Sequence, residues 1–142
     1  IERAANDGAI LSHSALTFSE LSNLIENTEL DLYRLKVGNQ FFDKKAFRRI
    51  SNERQNVLAE IDVAWKAVSS MSKCLHSKLD DQFVRNSYAT LCEGVVDPFD
   101  SFFIQTMRDN SIDYVITDDH DFCSISRHMI VTANSTALKH TN

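Results

Sequence analysis

Three carboxylates, Asp118, Asp119 and Asp121, fall within four consecutive positions directly after the apolar run Ile112-Asp113-Tyr114-Val115-Ile116-Thr117. Like charges a few ångströms apart repel and hold one another's protons, a cost that a hard divalent cation such as Mg²⁺ or Mn²⁺ removes. Carboxylates after a strand are equally ordinary turn formers, because an Asp side chain bonds its own backbone. Two further acids bear on that choice. Asp100 stands in Asp97-Pro98-Phe99-Asp100 and Glu20 in Thr17-Phe18-Ser19-Glu20. Thr17 followed three residues later by Glu20 also fits a capping box, which by itself gives Glu20 a purely structural task.

The elements that must carry these acids can be read from pattern. Asp97 at a cap, Pro98 at the first helical position and Asp100 at the third predict a helix whose positive N-terminal end favours carboxylates. Asp100 begins the face continued by Phe103, Ile104 and Met107, so it is expected where the buried stripe meets a sheet. Ile112 to Thr117 reads as a strand buried on both faces, as in a parallel sheet. Phe122 to Ile125 reads as a helical turn and Met129 to Thr132 as a short last strand, followed by a frayed tail from Asn134.

Upstream, Ile1 to Gly8 reads as the end of a helix stopped by Gly8. Ala9 to His13 reads as a short buried strand, with helix as the alternative. A helix capped by Thr17 carries Leu21, Leu24 and Ile25 on one face, and a weaker helical pattern runs over 29–37 to Gly38-Asn39. Phe42 to Ile50 is a short helix with Lys44, Lys45, Arg48 and Arg49. This basic cluster is either a solvated face or a lip that contacts phosphates. Asn52 to about Lys73 is expected to be the longest helix, capped by Ser51 or Asn52, with Trp65 packed inward. Leu79 to Glu93 is expected to be helical and to end at Gly94.

A chain of 142 residues, 43% hydrophobic, is expected to fold as one domain and to bury about two-thirds of its unfolded surface. Cys74, Cys92 and Cys123 are odd in number and widely spaced, so neither a disulfide framework nor a zinc site is indicated and a cytoplasmic setting is expected. No apolar run reaches the roughly 18 residues of a membrane span, and no export signal opens the sequence. The net charge of −5 argues against holding nucleic acid by bulk attraction, although bound cations reverse the local sign of acidic ligands. With three glycines, a phosphate-cradling Gly-rich loop is absent.

Strands separated by helices predict an α/β fold with a parallel sheet, whose functional groups gather beyond the carboxyl ends of the strands. In its order of motifs the sequence resembles the PIN-domain family of metal-dependent ribonucleases, which includes the VapC-type toxins. Leu16-Thr17-Phe18-Ser19-Glu20-Leu21 resembles the family's helix-borne glutamate, and Asp97 to Ile104 its Asp-led helix. Ile116-Thr117-Asp118-Asp119-His120-Asp121-Phe122 resembles its Thr-x-Asp-x-Asp-Phe element, and Met129 to Asn134 its closing strand. The family's opening strand, which ends in a metal-ligating Asp, has no counterpart here. The stretch between Glu20 and Asp100 is longer than in the compact toxins and suggests a helical insertion over about 29–95.

The resemblance implies a three-layer fold, a central parallel sheet flanked by helices, and metal-dependent endoribonuclease activity that requires an upstream Asp in the full-length protein. Glu20, Asp100, Asp119 and Asp121 would hold Mg²⁺ or Mn²⁺, which lowers the pKa of a bound water and offsets charge on the scissile phosphate. Thr117 would support a carboxylate or a bound water, with strand-end packing as its alternative task. His120 lacks a visible partner to orient it, so a solvated turn residue is expected. Lys44, Lys45, Arg48 and Arg49 would contact RNA. Expected partners are RNA, a cognate antitoxin if the chain is a toxin, and a second copy in a homo-oligomer. The main rival is a catalytically defective PIN-like module that binds protein or RNA. A phosphoacceptor receiver domain fits less well, because Ala133-Asn134, not a Lys, follows the last strand.

Overall fold

Residues 6–125 and 129–132 are described in a computed structural model. The expected end of the first helix before residue 6 and the tail from Asn134 lie outside these residues. The chain is mixed α/β, mostly helical, with two small parallel strand pairs. Its contacts gather into two compact units, 1–74 and 75–142.

In the first unit, β1 (Ser12–His13) leads into α1 (Ala15–Val37), followed by α2 (Lys44–Phe47), α3 (Ser51–Met71) and β2 (Lys73–Cys74). At 23 residues, α1 is longer than the 21 of α3, which corrects the expected order. It starts at Ser14, three residues before the expected cap. Ser14 and Thr17 bond reciprocally across the first turn and leave Glu20 outside the capping box. Gly38 closes the helix with φ +67, a left-handed turn that suits glycine. Helix α3 begins after Ile50, which provides no side-chain cap, so neither Ser51 nor Asn52 has the expected role. Leu30, Phe47 and Val57 form the buried core that joins α1, α2 and α3. At the end of α3, Ser72 places its Oγ 2.8 Å from Nδ1 of His13, and Ser12 and His13 pair in parallel with Lys73 and Cys74.

In the second unit, α4 (Asp81–Glu93) and α5 (Pro98–Asp109) precede β3 (Tyr114–Ile116), a 3₁₀ turn (His120–Ser124) and β4 (Met129–Val131). Helix α5 starts as expected: the Asp97 carboxylate accepts from the N–H groups of Phe99 and Asp100 at 2.7 and 2.8 Å. Arg108 links the two helices by donating to Thr90 Oγ1 at 2.7 Å and to Glu93 at 2.8 Å. Val96, Ile104, Met107, Val115, Phe122 and Ile125 make one buried core. That core holds β3 and the 3₁₀ turn against α5. The pairing of β3 with β4 is parallel, with Val115 opposite Ile130.

The expected strand buried on both faces is not what forms. Tyr114, Ile116, Met129 and Val131 are each more than half exposed. Only Val115, between them on the other face, is buried, because alternate residues of a strand point to opposite sides. Among the described residues the strands form two separate two-stranded sheets, not the single central sheet of the expected three-layer fold.

Candidate functional site

The acidic segment is suspended between two core anchors, Val115 on β3 and Phe122 in the 3₁₀ turn, which are 4% and 6% exposed. Between them the backbone is shaped by local bonds. Thr117 Oγ1 accepts from the Asp119 N–H at 3.1 Å, and Asp119 Oδ1 accepts from the Asp121 N–H at 2.9 Å. Asp119 thereby caps the 3₁₀ turn and holds its own carboxylate toward Asp121. Asp118 points elsewhere: its Oδ1 accepts from Thr132 Oγ1 at 3.0 Å, which ties the ends of β3 and β4 together. The crowding of three carboxylates expected from sequence therefore resolves into a pair, with the third engaged in holding the sheet.

Asp119, His120 and Asp121 each offer a ligand atom, and these atoms lie within 4.8 Å of one another. His120 Nε2 stands 3.2 Å from Asp121 Oδ1, and its Nδ1 stands 3.9 Å from Asp119 Oδ1. Two neighbouring ligands at about 2.1 Å from an octahedral ion stand about 3 Å apart, and opposite ligands about 4.2 Å. His120 Nε2 and Asp121 thus already have the separation of neighbouring ligands. Asp119 offers a third donor, and the three ligand atoms lie within 4.8 Å of one another. Two carboxylates and an imidazole are a donor set that a divalent transition ion accepts, and the imidazole moves the preference from Mg²⁺ toward Mn²⁺.

The other expected ligands are not members of this group. Asp100, partly buried at the third position of α5, lies outside this group. Glu20 is exposed on α1 of the first unit, and its carboxylate takes no part in the cap that the sequence assigns to it. Thr117 Oγ1 accepts from the Asp119 backbone N–H, whereas its expected task is to orient a carboxylate or a bound water. His120 is the residue that sequence reasoning left out. It looks partnerless along the chain, but the 3₁₀ turn swings its ring between the two flanking carboxylates.

Comparison with protein-family models, with curated proteins and with solved structures returned no match.

The basic cluster behaves differently at each position. Lys44 and Arg48 are drawn to the buried Glu26, while Lys45 and Arg49 face solvent. Arg48, by its paired hydrogen bonds, and then Lys44 hold the Glu26 carboxyl down to about 2 against the opposing effect of burial. Among the described residues, no helix is long and apolar enough to cross a membrane.

Proposed function

We propose that the chain belongs to a metal-dependent endoribonuclease in which Asp119, Asp121 and His120 hold Mn²⁺ or Mg²⁺. The observation that carries this reading is the convergence of two carboxylates and an imidazole just beyond the carboxyl end of a parallel strand, where α/β folds gather their chemistry. A divalent ion held by these residues would lower the pKa of a bound water and offset charge on a phosphate. The side chains orient that ion. Thr117 fixes Asp119 through its backbone, and Asp119 in turn fixes the start of the turn that presents His120 and Asp121.

The test is RNA cleavage by the full-length protein in Mn²⁺ or Mg²⁺, beside Asp119→Asn. The expected outcome is metal-dependent cleavage that drops at least about 100-fold in the variant, a size usual for losing a charge-stabilising group in a reaction centre. Equal cleavage by both proteins, or none by either, removes the proposal. A second reading, a catalytically defective member that binds another macromolecule, is favoured by the exposed apolar face of Tyr114, Ile116, Met129 and Val131. Parallel sheets are ordinarily covered on both faces.

A further inference from the structure

The net charge of the chain is unevenly divided. The sequence of 1–74 holds ten basic and ten acidic side chains, whereas 75–142 holds five and ten. Within the neutral first unit the cations are concentrated: residues 34–54 contain seven basic side chains and two acidic ones, Asp43 and Glu53. Both acids are engaged. Asp43 caps α2 at the N–H of Ala46, and Glu53 receives Lys36 at 3.1 Å.

Glu26 organises the patch from below. Its carboxylate, 5% exposed, accepts from Arg48 Nε and Nη2 at 2.6 and 2.5 Å. Lys44 and Arg54 approach the same carboxylate at 3.2 and 3.3 Å. Three cations around one anion leave positive charge at a fixed place. The Lys44 ammonium is further held by Asn23 and Asn27 at 2.9 and 2.6 Å, which leaves Arg48 as the exposed member with a donor, Nη1, to spare. Lys45 and Arg49 are exposed and form no ion pair or side-chain hydrogen bond among the described residues.

An exposed aromatic ring precedes these cations closely in the chain. Phe41 is 94% exposed, although burial of such a ring is worth about 1.5–3 kcal/mol. Its backbone is nevertheless well held. The Phe41 N–H donates to Asn39 Oδ1, and the next carbonyl, of Phe42, accepts from Arg34 Nε and Nη2 at 3.1 and 2.9 Å. The Phe42 ring packs on Tyr33 at 5.1 Å. The turn therefore fixes Phe42 inward and leaves Phe41 in water, three residues before the cationic helix.

We infer that Phe41, Lys45, Arg48 and Arg49 form a binding surface for a single-stranded polynucleotide, with phosphates on the cations and a base stacked on Phe41. Protruding aromatics stack only on unpaired bases, and cations follow the backbone regardless of sequence. The choice of RNA rests on the nuclease reading above; the surface itself does not.

The experiment is fluorescence anisotropy of a labelled single strand of roughly 16 nucleotides, the upper site size of comparable surfaces, in EDTA so that cleavage has no part. RNA and DNA strands of the same sequence are titrated against the full chain at several salt concentrations. Lys45→Glu/Arg49→Glu is expected to weaken binding at least tenfold at low salt. It should also flatten the salt slope by about 1.4, two contacts at about 0.7 each. Phe41→Ala is expected to cost about fivefold or more with the salt slope unchanged. Neither variant removes a folded-state contact, so melting curves should coincide with wild type. Unchanged binding in either variant, or tighter capture by phosphatidylserine vesicles than by the oligonucleotides, overturns the inference. Binding in EDTA does not require Asp119 and its neighbours, so failure here and failure of the nuclease reading are separable.

Discussion

Nε2 of His120 stands 3.2 Å from Oδ1 of Asp121, the separation of two neighbouring ligands on one small divalent ion. Because imidazole favours transition ions over Mg²⁺, His120→Ala should lower Mn²⁺ affinity tenfold or more and leave Mg²⁺ affinity nearly unchanged. Asp121→Asn should weaken both. Titration calorimetry with each ion separates these outcomes, and unchanged Mn²⁺ affinity in His120→Ala would place His120 outside the ligand set.

Gly94 lies against the turn that carries the acids. A Cβ built there would stand 2.5 Å from Ser124 Oγ and 2.7 Å from Ile125 Cδ1. With φ −154 its backbone is extended and open to any residue, so the constraint is space. Ser124 Oγ also accepts from the Val95 N–H at 2.9 Å. Gly94→Ala should cost about 1–3 kcal/mol, the usual penalty for overpacking. It should also weaken Mn²⁺ binding, by displacing the 3₁₀ turn. Chemical denaturation measures the first effect and ion titration the second.

Glu26 makes stability depend on acid. Its folded-state pKa, about 2 against an ordinary 4.5, is depressed, so its contribution is fully present above 4.5 and fades as the pH falls toward 2. Glu26→Gln should lose about 2 kcal/mol at neutral pH, moderated because the cations it releases regain water. The gap between wild type and variant should close below pH 4.5, which urea denaturation across that range would show.

What the sequence makes legible is local chemistry. The Asp97-Pro98 start of α5 is readable because a cap and its first turn are made by adjacent residues. Gly38 closes α1 for a similar reason. The start of α1 is misleading, since Thr17 and Glu20 fit the consensus box better than Ser14 and Thr17, yet the chain uses the latter pair. Strand β2 is invisible: two residues at the end of a helical pattern become a strand only because Ser12 and His13 lie alongside. The pairing of Glu26 with Arg48 depends likewise on how α1 packs on α2. Asp119 and Asp121 stand out by type, whereas the participation of His120 and the diversion of Asp118 to Thr132 depend on the turn and on β4.

The central claim is that the segment from Asp119 to Asp121 holds a divalent ion. Its most direct measurement is a Mn²⁺ titration followed by the electron paramagnetic resonance of the free ion, on the wild-type chain and on Asp119→Asn/Asp121→Asn. Saturable binding by wild type that falls at least tenfold in the double variant is the predicted result. Equal binding by the two proteins, or none by wild type, would contradict it.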